Sequence, residues 1–180
     1  YVFFMPAFLP DHLTRWYSPK QPLLSLPMSL RQWLLASGSL TRQLTLLANG
    51  QFHVEPLQQG FSSIYWHESQ LLNVGANEQA WVREVNLFGC QQQPWIKARS
   101  IFPLKTLKGE GLRLRYLKNK ALGSVLFHRG QPPCIRQIAY LPEGWSRRSL
   151  YYWHNQPLIV QETFLPAFEQ FILAKTSDKA

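Results

Sequence analysis

Two predicted β-strands within residues 145–166 (WSRRSLYYWHNQPLIVQETFLP) constrain the fold most, because one carboxylate lies on an apolar strand face. Side chains along a strand point alternately to opposite faces. One face of the second strand therefore holds Leu158, Val160, Glu162 and Phe164. A charged Glu162 on that face needs a partner or a function. Two interpretations stay open here: a structural ion pair with an arginine, or a group in a ligand site.

A second charge is out of place in the predicted strand at residues 80–88 (AWVREVNLF). Arg83 interrupts the face that also holds Trp81, Val85 and Leu87. Arg83 could pair with Glu162, or it could lay its stem along the sheet with its charged end in water. Two opposite charges on apolar strand faces therefore predict either a buried ion pair or a polar pocket whose ligand supplies the missing counter-groups.

The composition is that of a globular protein with an anionic partner. The 180 residues are 46% hydrophobic and 16% charged, and their formal net charge is +9. This length predicts one domain spanning residues 1–180. The positive charge favours a nucleic acid, an anionic membrane surface or a small polyanion. The densest basic stretch, residues 105–120, has no zinc-finger, RNA-recognition or basic-zipper signature, so we expect no nucleic-acid partner.

Cofactor and targeting signals are missing from the sequence. The two cysteines, Cys90 and Cys134, form no C-x-x-C motif, and the five histidines show no metal-ligand spacing. No dinucleotide or P-loop motif occurs. We therefore expect no metal and no nucleotide cofactor. No stretch approaches the length of a transmembrane helix, so we expect no stable membrane insertion and a cytoplasmic protein.

Turn residues divide the rest of the chain into short elements. Strands are predicted at residues 51–63, 80–88, 95–102 and 135–140, and Pro56 indicates an edge strand or a bulge. Helices are predicted at residues 110–117, 122–128 and 167–175, whereas residues 63–79 are ambiguous. In the strand at 95–102, Lys97 and Arg99 are predicted to lie on a solvated face. This pattern predicts an α+β fold, an antiparallel β-sheet with helices mainly on one side.

Two short helices near the N-terminus are predicted to form a helix-turn-helix pair. Ser29 and Ser39 are possible N-caps, and residues 37–39 (SGS) separate the helices. No basic recognition face accompanies them, which argues against DNA binding.

Several motifs, in order, make the chain similar to the chorismate lyase family. They are WLLASGSLT at 33–41, WVRE at 81–84, PWIKARSIFP at 94–103, ALGSVLF at 121–127, WSRRS at 145–149 and QPLIVQETFLPA at 156–167. The resemblance covers about residues 33–167. The chain departs from the family at Leu40, where members can have Met, and in the turn at 89–93, which is one residue longer than usual in the family.

The resemblance implies a cofactor-free, single-domain enzyme, expected to be a monomer, that converts chorismate to 4-hydroxybenzoate and pyruvate in ubiquinone biosynthesis. It implies that Arg83 binds the ring carboxylate and Glu162 the 4-hydroxyl group. Backbone N–H groups of Leu40 and Leu122 would help bind the carboxylate. The helix pair around residues 37–39 would form a flap over an internal pocket.

Two other classes of protein remain as alternatives. One is a non-catalytic sensor, because effector-binding domains of some transcription regulators resemble this fold; we expect the enzyme, since no DNA-binding segment is visible in the sequence. The other is a basic protein that binds nucleic acid or a membrane surface.

Overall fold

The structure is a computed structural model that describes residues 15–20 and 26–177. Stretches in which polar and apolar side chains alternate form the strands of one antiparallel sheet. Within these residues the sheet has six strands, in the order β1-β2-β3-β6-β5-β4. Their bounds are β1 (His53–Ser63), β2 (Gln79–Phe88), β3 (Pro94–Pro103), β4 (Cys134–Leu141), β5 (Gly144–Trp153) and β6 (Gln156–Phe164).

The helices of the described residues lie mainly on one face of the sheet. They are α1 (Met28–Leu35), α2 (Leu40–Leu47), α3 (Trp66–Leu72), α4 (Gly123–Leu126) and α5 (Pro166–Ser177), with two 3₁₀ helices at Leu104–Leu107 and Gly109–Tyr116. All except α3 contribute buried side chains to the two apolar clusters on the first face. Helix α3 covers the second face with Leu72. The predicted α+β fold is confirmed.

A two-residue turn sets the register of the β5–β6 hairpin. His154 and Asn155 have φ values of 48° and 60°, the left-handed conformation that tight hairpin turns require. The pairing of Trp153 with Gln156 next to the turn then places Arg147 directly opposite Glu162.

Pro56 lies in edge strand β1, where the pairing with β2 shifts register between Pro56 and Gln58. Both features predicted from this proline are confirmed. Proline has no N–H to donate to a neighbouring strand, which explains the irregularity.

One prediction of local structure was wrong. Helix α1 begins at Met28 after Pro27, so Ser29 is not its N-cap. Short helices are present at both positions predicted in the middle of the chain, as a 3₁₀ helix at Gly109–Tyr116 and as an α-helix shortened to Gly123–Leu126. Ser39 does cap α2 by accepting a hydrogen bond from the Arg42 N–H.

The prediction of a solvated face for Lys97 and Arg99 was also wrong. Arg99 is only 4% exposed, and its guanidinium lies 2.8 Å from the Glu68 carboxylate and 2.5 Å from that of Glu84. Lys97 pairs with Glu143 at 2.8 Å. The ambiguous residues 63–79 contain α3, which carries Glu68 onto this face and buries it.

The structure does not describe residues 1–14, 21–25 and 178–180. The prediction of one domain over residues 1–180 includes these residues and stays a prediction. Of the described helices, none has both the length and the apolar character needed to cross a membrane.

Candidate active site

A cavity opens on the helix-covered face of the sheet where β3 carries small side chains. Ala98 and Ser100 point into it from the centre of the sheet. The cavity and its mouth together hold about 500 Å³ of space, part of it open to solvent. Its lining residues are Gly38, Leu40, Thr41, Arg83, Val85, Leu87, Ala98, Ser100, Ala121, Leu122, Gly123, Leu126, Phe127, Arg147, Tyr151, Val160 and Glu162.

All four residues predicted to form the site, Leu40, Arg83, Leu122 and Glu162, line this one cavity. Arg83 is on β2 and Glu162 on β6, the two strands that flank β3. Neighbouring strands are about 4.8 Å apart, so β2 and β6 are separated by roughly 10 Å. Among the described residues, Glu162 pairs with Arg147 and not with Arg83. The alternative of an Arg83–Glu162 ion pair was therefore wrong, while the roles of the four residues stay predictions.

Arg83 is a buried cation held by carbonyl oxygens. It is 1% exposed, and its Nη2 donates to the carbonyl oxygens of Lys118 and Lys120, both at 2.9 Å. Its Nε is buried without a hydrogen-bond partner. Burial lowers the pKa of Arg83 to about 10. The described residues thus leave this guanidinium without a counter-charge, and an anionic ligand in the cavity could supply one.

Glu162 is held by a second buried guanidinium. The Nε of Arg147 donates to Oε2 of Glu162 at 2.5 Å, and the Arg147 and Glu162 side chains are 1% and 12% exposed. Nη1 of Arg147 donates to the carbonyl oxygen of Trp33 at 2.6 Å. Arg147 therefore fixes the carboxylate and also contacts the end of α1.

Tyr151 and Arg136 extend this polar group. Arg136 donates to the carbonyl oxygen of Ala36 and to the Tyr151 hydroxyl, the latter at 3.4 Å. Burial and the negative charge of Glu162 raise the pKa of Tyr151, with Arg136 and Arg147 acting in the opposite direction. The Tyr151 hydroxyl therefore stays protonated at neutral pH and can donate a hydrogen bond into the cavity.

The starts of α2 and α4 meet at the wall of the cavity. A Cβ added to Gly123 would lie 2.7 Å from the Thr41 hydroxyl and 2.8 Å from that of Ser39. Only glycine lets the two helix starts approach this closely. The close approach places Leu40 and Leu122 on the same cavity, although they are far apart in sequence.

The sequence analysis missed Arg147 and Tyr151. A signal for Arg147 was present, because a two-residue turn at 154–155 pairs position 147 with position 162. No such signal singled out Tyr151, whose place in the cavity depends on how the helices cover β5. Among the described residues, no group of three His, Cys, Asp or Glu is placed to hold a metal ion.

The fold defines a broad structural class. The effector domain of PhnF from Mycobacterium smegmatis is similar with a TM-score of 0.53, covering 74% of this chain and 91% of that one at 12% identity. A likeness at this identity shows the fold alone.

Sequence comparison defines the family within that class. Residues 11–172 match the chorismate lyase family, so the chain belongs to it. A probable chorismate pyruvate-lyase of Acinetobacter baylyi is 48% identical over 79% of this chain and 86% of its own length. One from Acinetobacter baumannii is 45% identical over 85% and 93%, respectively.

Proposed function

We propose that this protein converts chorismate to 4-hydroxybenzoate and pyruvate. The observation that carries the proposal is the cavity in which Arg83, a cation that the described residues leave without a counter-charge, and the Glu162 carboxylate lie on either side of small β3 residues. Membership of the chorismate lyase family and the names of its relatives support the same reaction.

The reaction needs positioning more than a strong acid or base. The C3–O bond of chorismate breaks, its electron pair leaves with the enolpyruvyl group, and the C4 proton is lost so that the ring becomes aromatic. The enolpyruvate accepts a proton and becomes pyruvate, so no co-reactant is consumed. Since aromatisation makes the step strongly favourable, correct orientation and exclusion of water supply most of the catalysis.

Each charged side chain has a proposed role in this reaction. Arg83 binds the ring carboxylate, and amides of Leu40 and Leu122 assist at the two helix starts. Glu162 binds the 4-hydroxyl group and is the group we propose to accept the C4 proton. Arg147 already donates to Glu162 and to a carbonyl oxygen of α1. We therefore assign Arg147 to positioning Glu162, not to binding the enolpyruvyl carboxylate.

The helix pair around residues 37–39 is proposed as a flap over the substrate. Gly38 lines the cavity and has a φ of 84°, a conformation that favours glycine. Arg136 and Arg147 hold the preceding carbonyl oxygens. Release of these hydrogen bonds would open the cavity to substrate and product.

The location, oligomeric state, cofactor requirement and pathway of the enzyme are part of the same proposal. We propose that the enzyme is a cytoplasmic monomer that requires no cofactor and supplies 4-hydroxybenzoate for ubiquinone biosynthesis. Its family membership supports this setting.

The experiment is to incubate the purified protein with chorismate and to measure both products. Ultraviolet absorbance reports 4-hydroxybenzoate, and a lactate dehydrogenase assay reports pyruvate. We expect equal amounts of the two. The Glu162→Gln variant should be slower, whereas Arg31→Gln, at an exposed position of α1, serves as the matched control. Binding of chorismate without either product would indicate a sensor and contradict the proposal.

A further inference from the structure

Most of the net charge of the chain is concentrated on one short segment. Residues 105–120 contain six basic side chains and one carboxylate, a net charge of +5 out of the chain's formal +9. Five of the six basic side chains are exposed, and Arg115 is half-buried. The cavity described above does not use any of these side chains, since Arg83 contacts only the backbone carbonyls of Lys118 and Lys120.

The 3₁₀ helix in this segment presents its charged residues on a fixed scaffold. With three residues per turn, side chains three positions apart lie on the same side. Gly111, Leu114 and Leu117 are buried, and the two leucines belong to the apolar cluster under the helix. Arg113 and Tyr116 therefore project outward from a packed element.

Large apolar side chains are exposed among these charges. Leu104 is 46% exposed, Leu112 49% and Tyr116 69%. Phe61, 45% exposed, lies near Tyr116, because the Arg115 guanidinium is 5.1 Å from the Phe61 ring and 5.9 Å from that of Tyr116. Single apolar side chains on a surface are ordinary, but several of them on one basic segment are typical of a binding surface.

A surface cleft runs along the same segment. It encloses about 820 Å³ of open space and is lined by Lys105, Lys108, Glu110, Arg129 and His154, among others. Arg113 lies 2.7 Å from Glu110, and Arg129 lies 3.9 Å from it. Because cations outnumber this carboxylate, the cleft can accept phosphate groups.

We propose that residues 104–120, with Phe61 and the adjacent cleft, form a surface that docks reversibly on an anionic membrane. Lipid phosphates would lie against the basic side chains, and Leu104, Leu112 and Tyr116 would enter the interface between headgroups and acyl chains. Exposed aliphatic side chains favour lipid over nucleic acid, which binds cations and stacks on aromatic rings but gains little from leucine. The proposal depends on charge and exposure and not on the reaction with chorismate.

The experiment measures binding of the full chain to vesicles by co-sedimentation. We expect binding to phosphatidylcholine vesicles containing phosphatidylglycerol, little binding to phosphatidylcholine alone, and loss of binding at high salt. The triple variant Lys105→Gln, Lys108→Gln, Arg113→Gln should weaken binding by roughly tenfold or more. Its matched control, Arg31→Gln, Arg42→Gln, Lys175→Gln, removes the same charge from exposed positions on α1, α2 and α5 and should retain most of the binding.

A second comparison tests the apolar contribution. Leu112→Ser should weaken vesicle binding, whereas Leu46→Ser, at a position that is 74% exposed on α2, should not. All these variants should turn over dissolved chorismate at the parent rate, so failure of the proposed reaction is distinguishable from failure of docking. Equal losses in the two triple variants would overturn the proposal. So would preference for a single-stranded RNA oligonucleotide over anionic vesicles.

Discussion

Arg147 donates from Nε to the Oε2 atom of Glu162 at 2.5 Å and from Nη1 to the carbonyl oxygen of Trp33 at 2.6 Å. One guanidinium thus connects the carboxylate in the cavity to the end of α1, immediately before the proposed flap. Arg147 contacts Oε2 of Glu162, so a ligand hydroxyl can engage the same carboxylate while Arg147 holds it in place. Arg147 would thereby connect the proposed site to the proposed flap.

Glu162→Gln should reduce turnover more than stability. Glutamine keeps an oxygen that accepts from Arg147 but removes its counter-charge, so we expect the free energy of unfolding to fall by about 1–3 kcal/mol, less than when Arg147 itself is removed. The value of kcat/KM should fall at least roughly tenfold, because orientation of the hydroxyl and proton acceptance are lost. The variant should also weaken the binding of 4-hydroxybenzoate more than that of benzoate, which lacks the hydroxyl group. Calorimetric titration of both ligands checks this selectivity.

The control for Glu162→Gln removes Arg147, the other partner of the ion pair. Arg147→Met leaves the Glu162 carboxylate without its guanidinium partner, and we expect a cost of about 3–5 kcal/mol in the free energy of unfolding. If Glu162→Gln lowered the melting temperature as strongly as Arg147→Met, and weakened the binding of both ligands equally, Glu162 would be only a structural partner of Arg147.

Arg83→Met should abolish ligand binding with little effect on folding. Burial lowers the pKa of Arg83 to about 10, well below its ordinary value. Below pH 10 its charged form therefore destabilises the folded protein, by about 3 kcal/mol, and this penalty declines as the pH rises above 10. Removing the charge offsets the loss of two hydrogen bonds to carbonyl oxygens, so the melting temperature should stay near that of the parent.

The activity of Arg83→Met should fall strongly, although its stability changes little. We expect kcat/KM of Arg83→Met to fall by an amount equivalent to about 2–5 kcal/mol. Arg83→Lys should recover only part, since an ammonium cannot form the two parallel hydrogen bonds of a guanidinium. An unaltered kcat/KM in Arg83→Met would remove this residue from the site.

Arg136→Met should loosen the proposed flap. Its Nη1 donates to the Ala36 carbonyl oxygen, so its removal should speed hydrogen exchange of residues 37–40 severalfold and weaken inhibition by 4-hydroxybenzoate. In the parent, the same product should slow exchange at Leu40 and Leu122. Arg31→Gln provides the control on α1. Exchange rates that respond neither to Arg136→Met nor to the product would argue against a flap.

Arg99 lies on the face of the sheet that α3 covers, and Arg99→Met should strongly destabilise the fold. Burial alone would lower the pKa of Arg99, but hydrogen bonds and charges from Glu68 and Glu84 raise it above its ordinary value. Its removal leaves two buried carboxylates without a cation, at a cost of about 3–5 kcal/mol. Lys97→Met is a control on the same strand face, where the pair with Glu143 is only partly buried, with side chains 14% and 33% exposed, and should contribute less, about 1 kcal/mol. Urea unfolding measures both, and similar losses would contradict the proposed difference.

The sequence by itself determined the arrangement along each strand. Period-two alternation placed Arg83 and Glu162 on apolar faces, and the residues between the last two strands predicted a tight hairpin. Pro56 predicted an edge strand or a bulge. These features depend on neighbours a few residues away, which is why they can be read from sequence.

Only the tertiary structure decided which groups meet. Insertion of β6 between β3 and β5 places Glu162 beside Arg147 and separates it from Arg83, whose guanidinium reaches the carbonyl oxygens of a distant loop. Likewise, α3 covers the second face of the sheet. Arg99, which was predicted to lie on the surface, is therefore buried and pairs with Glu68 and Glu84. Strand order and helix docking depend on packing between residues far apart in the chain, and local periodicity contains no information about that packing.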